Sequence, residues 1–313
     1  MKNYLKWILI TIGILSFCCM GVSAALAQEG MIIDHTCTDL SKIPDKYIEA
    51  AKDTLHIAYQ HTSHGSQLIS GMNALQSYAP FGTMYTWDDN GAAGELDLAD
   101  KGIPGCADLS QGDYIPAGES VTPWVTATRD LLDNSANSHV NVIMWSWCSI
   151  NGHNAQRYVD NMEILLAEYP DVIFVFMTGH AEGDGEDMTP NGIHYNNQLI
   201  RQHCIDNDRI LFDFADIEAY DPDGNYFWDL AMYDNLNYTG GNWGVEWIAA
   251  NPGSELTQLT IGCSSCSHSD SPGDAKINCV MKGQAVWWMM ARFAGWNGNP
   301  LSTTPLNILL LGN

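Results

Sequence analysis

Thr54-Leu55-His56-Ile57-Ala58-Tyr59-Gln60-His61-Thr62-Ser63-His64-Gly65 is the stretch on which the fold turns. Thr54 to Tyr59 is an apolar run of strand length, and Gly65 to Ser77 carries Leu68, Ile69, Met72 and Leu75 at helical spacing. A buried strand running directly into a helix is the repeating unit of an α/β fold. It places Ser63 at the carboxyl end of the strand, beside a helix N-terminus, where backbone N–H groups stabilise an oxyanion and suit covalent acyl chemistry. Taken alone, Thr62 or Ser63 reads more readily as an ordinary helix cap.

The same alternation continues along the chain. Val121 to Asn134 predicts a helix with Pro123 in its first turn, and His139 to Trp147 a strand. Ala155 to Glu168 predicts a helix stopped before Pro170, and Asp171 to Thr178 a fully apolar strand. Tyr195 to Asp206 and Arg209 to Phe214 repeat helix and strand, and Ala275 to Ala294 is a long helix ending at Gly295. Strands alternating with helices imply an α/β fold, a three-layer α/β/α sandwich around a mostly parallel sheet, with ligands bound beyond the carboxyl ends of the strands. Residues 28–313 form one domain in this reading, with long irregular insertions at about 79–120 and 220–260 that wall a pocket.

The N-terminus has the pattern of a secretory leader: Lys2 and Lys6, an apolar run from Trp7 to Met20, and Ala25-Leu26-Ala27 before Gln28. Cleavage after Ala27 would deliver a secreted or periplasmic protein. Past that point no segment reaches the roughly 20 apolar residues of a membrane span. The formal charge of −24 repels polyanions, so nucleic acid and anionic membranes are excluded as partners while neutral esters, glycans and cations are not. Beyond the leader lie Cys37, Cys106, Cys148, Cys204, Cys263, Cys266 and Cys279, an odd number that leaves at least one thiol without an intramolecular partner. Cys263-Ser-Ser-Cys266 has no second pair to complete a zinc ribbon, so disulfides in an oxidising compartment are expected.

Four predicted strand-end segments converge: Gln60 to His64, Trp145 to Asn151, Met177 to His180 with Glu182 and Asp184, and Cys266 to Ser269. A serine nucleophile needs a base within hydrogen-bond reach, and His268, entering the last helix, has the placement for it. A competing set of His61, His64, His180 and Asp184 has the donor chemistry of a zinc or iron site, although only His61-x-x-His64 has ligand spacing. Trp87, Trp124, Trp145, Trp147, Trp228, Trp243 and Trp247 are candidates for stacking on sugar rings, whereas Trp287 and Trp288 belong to a core helix. Asp221-Pro-Asp223-Gly-Asn225 begins like a calcium loop but lacks the later glutamate, and reads as a turn.

Order and topology of these strands resemble the SGNH (GDSL-type) hydrolase superfamily, and a divergent exported group within it. The resemblance implies a flavodoxin-like topology and an ester hydrolase that needs no cofactor and no metal. His61-Thr62-Ser63 stands where that family has Gly-Asp-Ser, which carries the nucleophile role to Ser63. Ser146 and Cys148 stand at the oxyanion glycine and asparagine, with Asn151 and His180 as further donors and His61 and His64 as substrate-binding neighbours. His268 matches the histidine of the D-x-x-H motif, but the residue three before it is Ser265, so Asp270, Asp213 and Asp216 are the candidate acids. The implied activity is a serine esterase or deacylase on O-acylated glycans or other neutral esters. Two alternatives follow from the residues: a metal-dependent enzyme built on His61, His64 and His180, and an inactive glycan-binding protein on the same fold.

Overall fold

The computed structural model describes residues 30–299, so the expected leader and its cleavage after Ala27 lie outside the described residues. A short strand, β1 (Met31–Ile33), leads into α1 (Asp45–Thr54), β2 (His56–Gln60) and α2 (Ser66–Ser77). Then come β3 (Trp87–Asp88), β4 (Leu96–Asp100), α3 (Leu109–Gly112), α4 (Pro123–Leu132) and β5 (Val142–Trp145). Two helix–strand pairs and a further helix follow as α5 (Ala155–Glu168), β6 (Ile173–Met177), α6 (Ile193–Asp206), β7 (Ile210–Phe212) and α7 (Phe214–Ala219). A two-stranded hairpin, β8 (Asn237–Tyr238) with β9 (Gly241–Asn242), precedes α8 (Trp243–Ala250), α9 (Glu255–Gly262) and α10 (Ile277–Phe293).

Helix starts are set by local chemistry. Pro123 opens α4, the Asn154 side chain accepts from the Arg157 amide at α5, and Asp213, Asn242 and Ser254 cap α7, α8 and α9 in the same way. Each side chain satisfies one of the amides that the first helical turn leaves unbonded.

Seven strands form one sheet in the order β1-β7-β6-β5-β2-β4-β3, with every pairing parallel. From β2 the chain moves to β4 on one side and then returns to β5 on the other. Parallel crossovers follow the right-handed rule, so running them in opposite directions puts helices on both faces; α1, α2 and α10 pack together, as do α4, α5 and α6. The direction of winding reverses beside β2, and the crevice outside its carboxyl end is where such sheets bind ligands.

Residues 79–120 were expected to be an irregular insertion, yet they contribute β3 and β4 to the central sheet. Their sequence hides this because β4, Leu-Asp-Leu-Ala-Asp, alternates apolar and acidic residues where the inner strands are continuously apolar. The sugar-stacking tryptophans are also placed differently. Trp124, Trp145 and Trp243 are each 1 % exposed, Trp147 and Trp228 3 % and Trp247 9 %, leaving only Trp87 of the set partly accessible. They fill the core, where large aromatic rings bury the most apolar area.

Helices α2 and α10 touch through glycine. A Cβ on Gly71 would lie 1.8 Å from the Cys279 carbonyl oxygen, and one on Gly283 2.4 Å from the Gly71 carbonyl carbon. The contact brings the helix that follows Ser63 against the helix that anchors the His268 segment.

Candidate active site

Ser63 opens a single helical turn (Ser63–Gly65) between β2 and α2, and its φ of 43° is in the left-handed region. The turn is pressed against the end of β5: a Cβ on Gly65 would sit 2.0 Å from Ser146 Oγ and 2.4 Å from His61 Cβ. Tyr59 ties it down by donating its hydroxyl to the Gly65 carbonyl at 2.8 Å, and Thr62 Oγ1 hydrogen-bonds Asp108. The Ser63 side chain is thereby aimed outward instead of capping α2, for which no side-chain cap bond exists.

His268 reaches Ser63 from the opposite side, with Nε2 in hydrogen-bond contact with Ser63 Oγ. It occupies a tight turn closed by the Ser269 amide donating to the Cys266 carbonyl at 2.8 Å, and its own φ is 66°. A disulfide between Cys266 and Cys279 fixes that turn to α10. The cysteines at 37, 106, 148, 204 and 263 are free thiols, so Cys263-Ser-Ser-Cys266 is not itself a bonded pair.

None of the three acids expected to serve His268 lies beside it. Asp270 accepts from the Cys266 amide at 2.6 Å and shapes the turn. Asp213 forms a two-pronged ion pair with Arg201, and Asp216 pairs with His35 at 2.5 Å. The neighbouring carboxylate is Asp234, with Oδ2 at 3.9 Å from His268 Nδ1 and 2.7 Å from His64 Nε2. Asp234 sits in the turn before β8, within a stretch that had no chemical signal beyond turn-forming residues.

His64 lies between two other imidazoles, stacked on His180 at 3.4 Å and on His268 at 3.8 Å between centroids. Burial lowers the His64 pKa, and the adjacent rings push the same way against the pull of Asp234. A neutral His64 donating from Nε2 leaves Nδ1 as a bare lone pair, which fits a buried Nδ1 with no hydrogen-bond partner. Burial works to raise the Asp234 carboxyl, but the His64 hydrogen bond and the neighbouring imidazoles hold it below its usual range. Burial disfavours charge on His180, yet Glu182, Glu218 and the Ala181 carbonyl raise its pKa. Its partner Glu182, 3.2 Å away, is held down at about 2 by His180 first, against the effect of burial, with help from Ser149 and Asn151.

The remaining expected residues play other parts. Ser146 is buried and its hydroxyl has no partner, facing Gly65. The Cys148 and Ser149 amides both donate to Ser110 Oγ, at 3.0 and 3.1 Å. Asn151 points its side-chain amide at Glu182, and His61 stacks on Tyr59 while pairing with Asp100 at 2.6 Å. The end of β5 therefore offers no free amide at Cys148 or Ser149. The amides of Ser63 and His64 lie in the first turn, where backbone N–H groups lack helical acceptors and can serve an oxyanion.

His64, His268 and Asp234 place possible ligand atoms within 4.8 Å of one another. Imidazole lone pairs lie in the ring plane, however, and the planes of His64 and His268 are within 12° of parallel. A zinc or iron ion bound about 2.1 Å from both nitrogens would have to lie in two planes that do not meet there. His61, turned toward Asp100, is not part of the group. Comparison with protein-family models, curated proteins and solved structures gives no match.

Proposed function

We propose that the protein is an exported serine hydrolase of SGNH type that cleaves carboxylic esters. The contact between Ser63 Oγ and His268 Nε2, made across 205 residues of sequence, carries the proposal. Strand order adds to it: numbered along the chain, the five strands β4-β2-β5-β6-β7 run 2-1-3-4-5, the flavodoxin-like order, with Ser63 at its switch point.

Ser63 Oγ attacks the acyl carbonyl carbon while His268 Nε2 takes the hydroxyl proton. The first-turn amides receive the developing oxyanion. The carbon–oxygen bond to the alcohol then breaks as His268 returns the proton to the leaving oxygen. Water, deprotonated by the same imidazole, releases the carboxylic acid and restores Ser63. Because Nε2 accepts from Ser63, Nδ1 carries the other proton and faces Asp234, whose carboxylate stabilises the imidazolium as it forms.

An acidic chain with Glu182 and Asp234 ionised beside the site favours uncharged or cationic acyl esters, O-acylated glycans among them. With the tryptophans in the core, the glycan assignment rests on charge and export alone. Hydrolysis of p-nitrophenyl acetate and of acetylated xylan by wild type and Ser63→Ala is the test. The expected result is loss of at least about 10³-fold in Ser63→Ala on any ester the wild type turns over. Equal rates would refute the mechanism, and activity on p-nitrophenyl acetate with none on xylan would remove the glycan arm.

A further inference from the structure

Beneath the site lies an ion pair that the chemistry above does not use. Lys282 and Glu218 have fully buried side chains, 0 % exposed, with Nζ 2.5 Å from Oε1. A buried pair of this kind commonly adds little stability over apolar residues of the same size. What distinguishes it is where its neighbours end. Glu218 Oε2 accepts from the Ala181 amide at 2.9 Å, next to His180. Lys282 also bonds Gln67 Oε1, and Gln67 Nε2 donates to the Ser267 carbonyl at 2.7 Å, next to His268. Asn278 Nδ2 reaches Glu218 at 3.2 Å and the Asp234 carbonyl at 2.9 Å, while Ser269 Oγ donates to that same carbonyl at 2.6 Å. Gln67 belongs to α2, the helix that begins just after Ser63.

We propose that the Lys282–Glu218 pair is a positioning device that sets the Ser63, His268, His180 and Asp234 segments in register through Gln67, Asn278 and Ser269. Four segments far apart in sequence meet on one buried charge pair, and an error of about 1 Å in their relation costs on the order of 100-fold in rate. The inference rests on the Ser63–His268 assignment. Burial lowers the Lys282 pKa to about 8 against the pull of Glu218 and Asp234. The charged groups bearing on the pair are Glu218, Asp234, His64 and His180. Loss of the Lys282 proton removes the positive charge facing Glu218 and weakens the amine's bonds to Glu218 and Gln67, so turnover falls as pH rises past about 8. Stability from this group moves oppositely: between about 8 and the ordinary lysine value of 10.5 the unfolded chain binds more protons, so folding becomes more favourable as pH rises.

The test is the double variant Lys282→Met/Glu218→Gln, with kcat, KM and melting temperature measured on p-nitrophenyl acetate from pH 6 to about 10. Expected is a folded protein with KM within about threefold of wild type, kcat down about 30-fold or more, and no alkaline fall near pH 8. A kcat within about threefold of wild type, or an unchanged alkaline limb, overturns the inference. Gln67→Met, which removes that side chain's bonds to Lys282, Ser267 and Ser269 and leaves the Lys282–Glu218 contact in place, gives a second reading if the double variant does not fold. It is expected to lower kcat about tenfold without changing KM, and wild-type kcat overturns the inference. Ser63→Ala, run alongside, separates the cases: turnover that survives it defeats the hydrolase assignment itself.

Discussion

Ser63 holds a φ of 43°, a backbone conformation that any side chain with a Cβ adopts at a cost of roughly 1 kcal/mol. The strain is tied to its position, because the Tyr59–Gly65 and Thr62–Asp108 bonds on either side fix the turn. Ser63→Gly should therefore melt higher than Ser63→Ala, by about 1 kcal/mol in stability, with both inactive. Equal melting of the two by thermal denaturation would show that the turn is relaxed. Asp234 is the second decisive residue. Asp234→Asn keeps the shape but removes the charge facing His268 Nδ1, and kcat should fall about 100-fold, less than the roughly 10⁴ seen where that carboxylate bonds the histidine directly. Unchanged kcat would mean that His268 acts without a carboxylate. Sequence marked Ser63 and His268 through their places at element ends. It could not mark Asp234, because a lone aspartate among turn residues has no periodicity or spacing, and it nominated Asp270, whose carboxylate folds the turn instead.

At the level of elements, the site depends on how the His268 turn is held to α10. The Cys266–Cys279 disulfide closes a short loop with a sequence separation of 13, and a loop of this size is worth about 3 kcal/mol. Replacing both cysteines by serine and alanine should lower stability by about 2–4 kcal/mol in a denaturant melt. It should also lower kcat more than KM, since the freed turn carries His268. A variant with wild-type kcat would place the positioning of His268 in the Gln67–Ser267 and Ser269–Asp234 bonds alone. Elements of the inner sheet were legible because apolar runs such as Ile173–Met177 match the period of a buried strand. Those at the margins were not: β4 alternates acid and hydrophobe, and β1 and β3 span only three and two residues, too short for any periodicity to register.

For the whole molecule, the carboxyl ends of β2, β5 and β6 bring the Ser63, Ser146 and His180 segments together, and Asp234 and His268 join them from the loops before β8 and α10. Alternation of strand and helix predicted that gathering, and it explains why four separate segments, three of them bearing histidine, were expected to converge. Core tryptophans misled for a general reason: composition reveals how many large aromatic rings a chain carries, and only packing decides whether they face ligand or sheet. Charge acts at this scale too, since a net −24 steers anionic molecules away and favours approach of neutral or cationic ones. The central claim is that Ser63 is a nucleophile activated by His268. A fluorophosphonate probe, which reacts covalently with activated serines, followed by peptide mass spectrometry, tests it most directly. One adduct is expected, on the peptide containing Ser63, absent in Ser63→Ala and slowed at least about 100-fold in His268→Ala. No adduct on the wild type, or labelling that persists in Ser63→Ala, would contradict it.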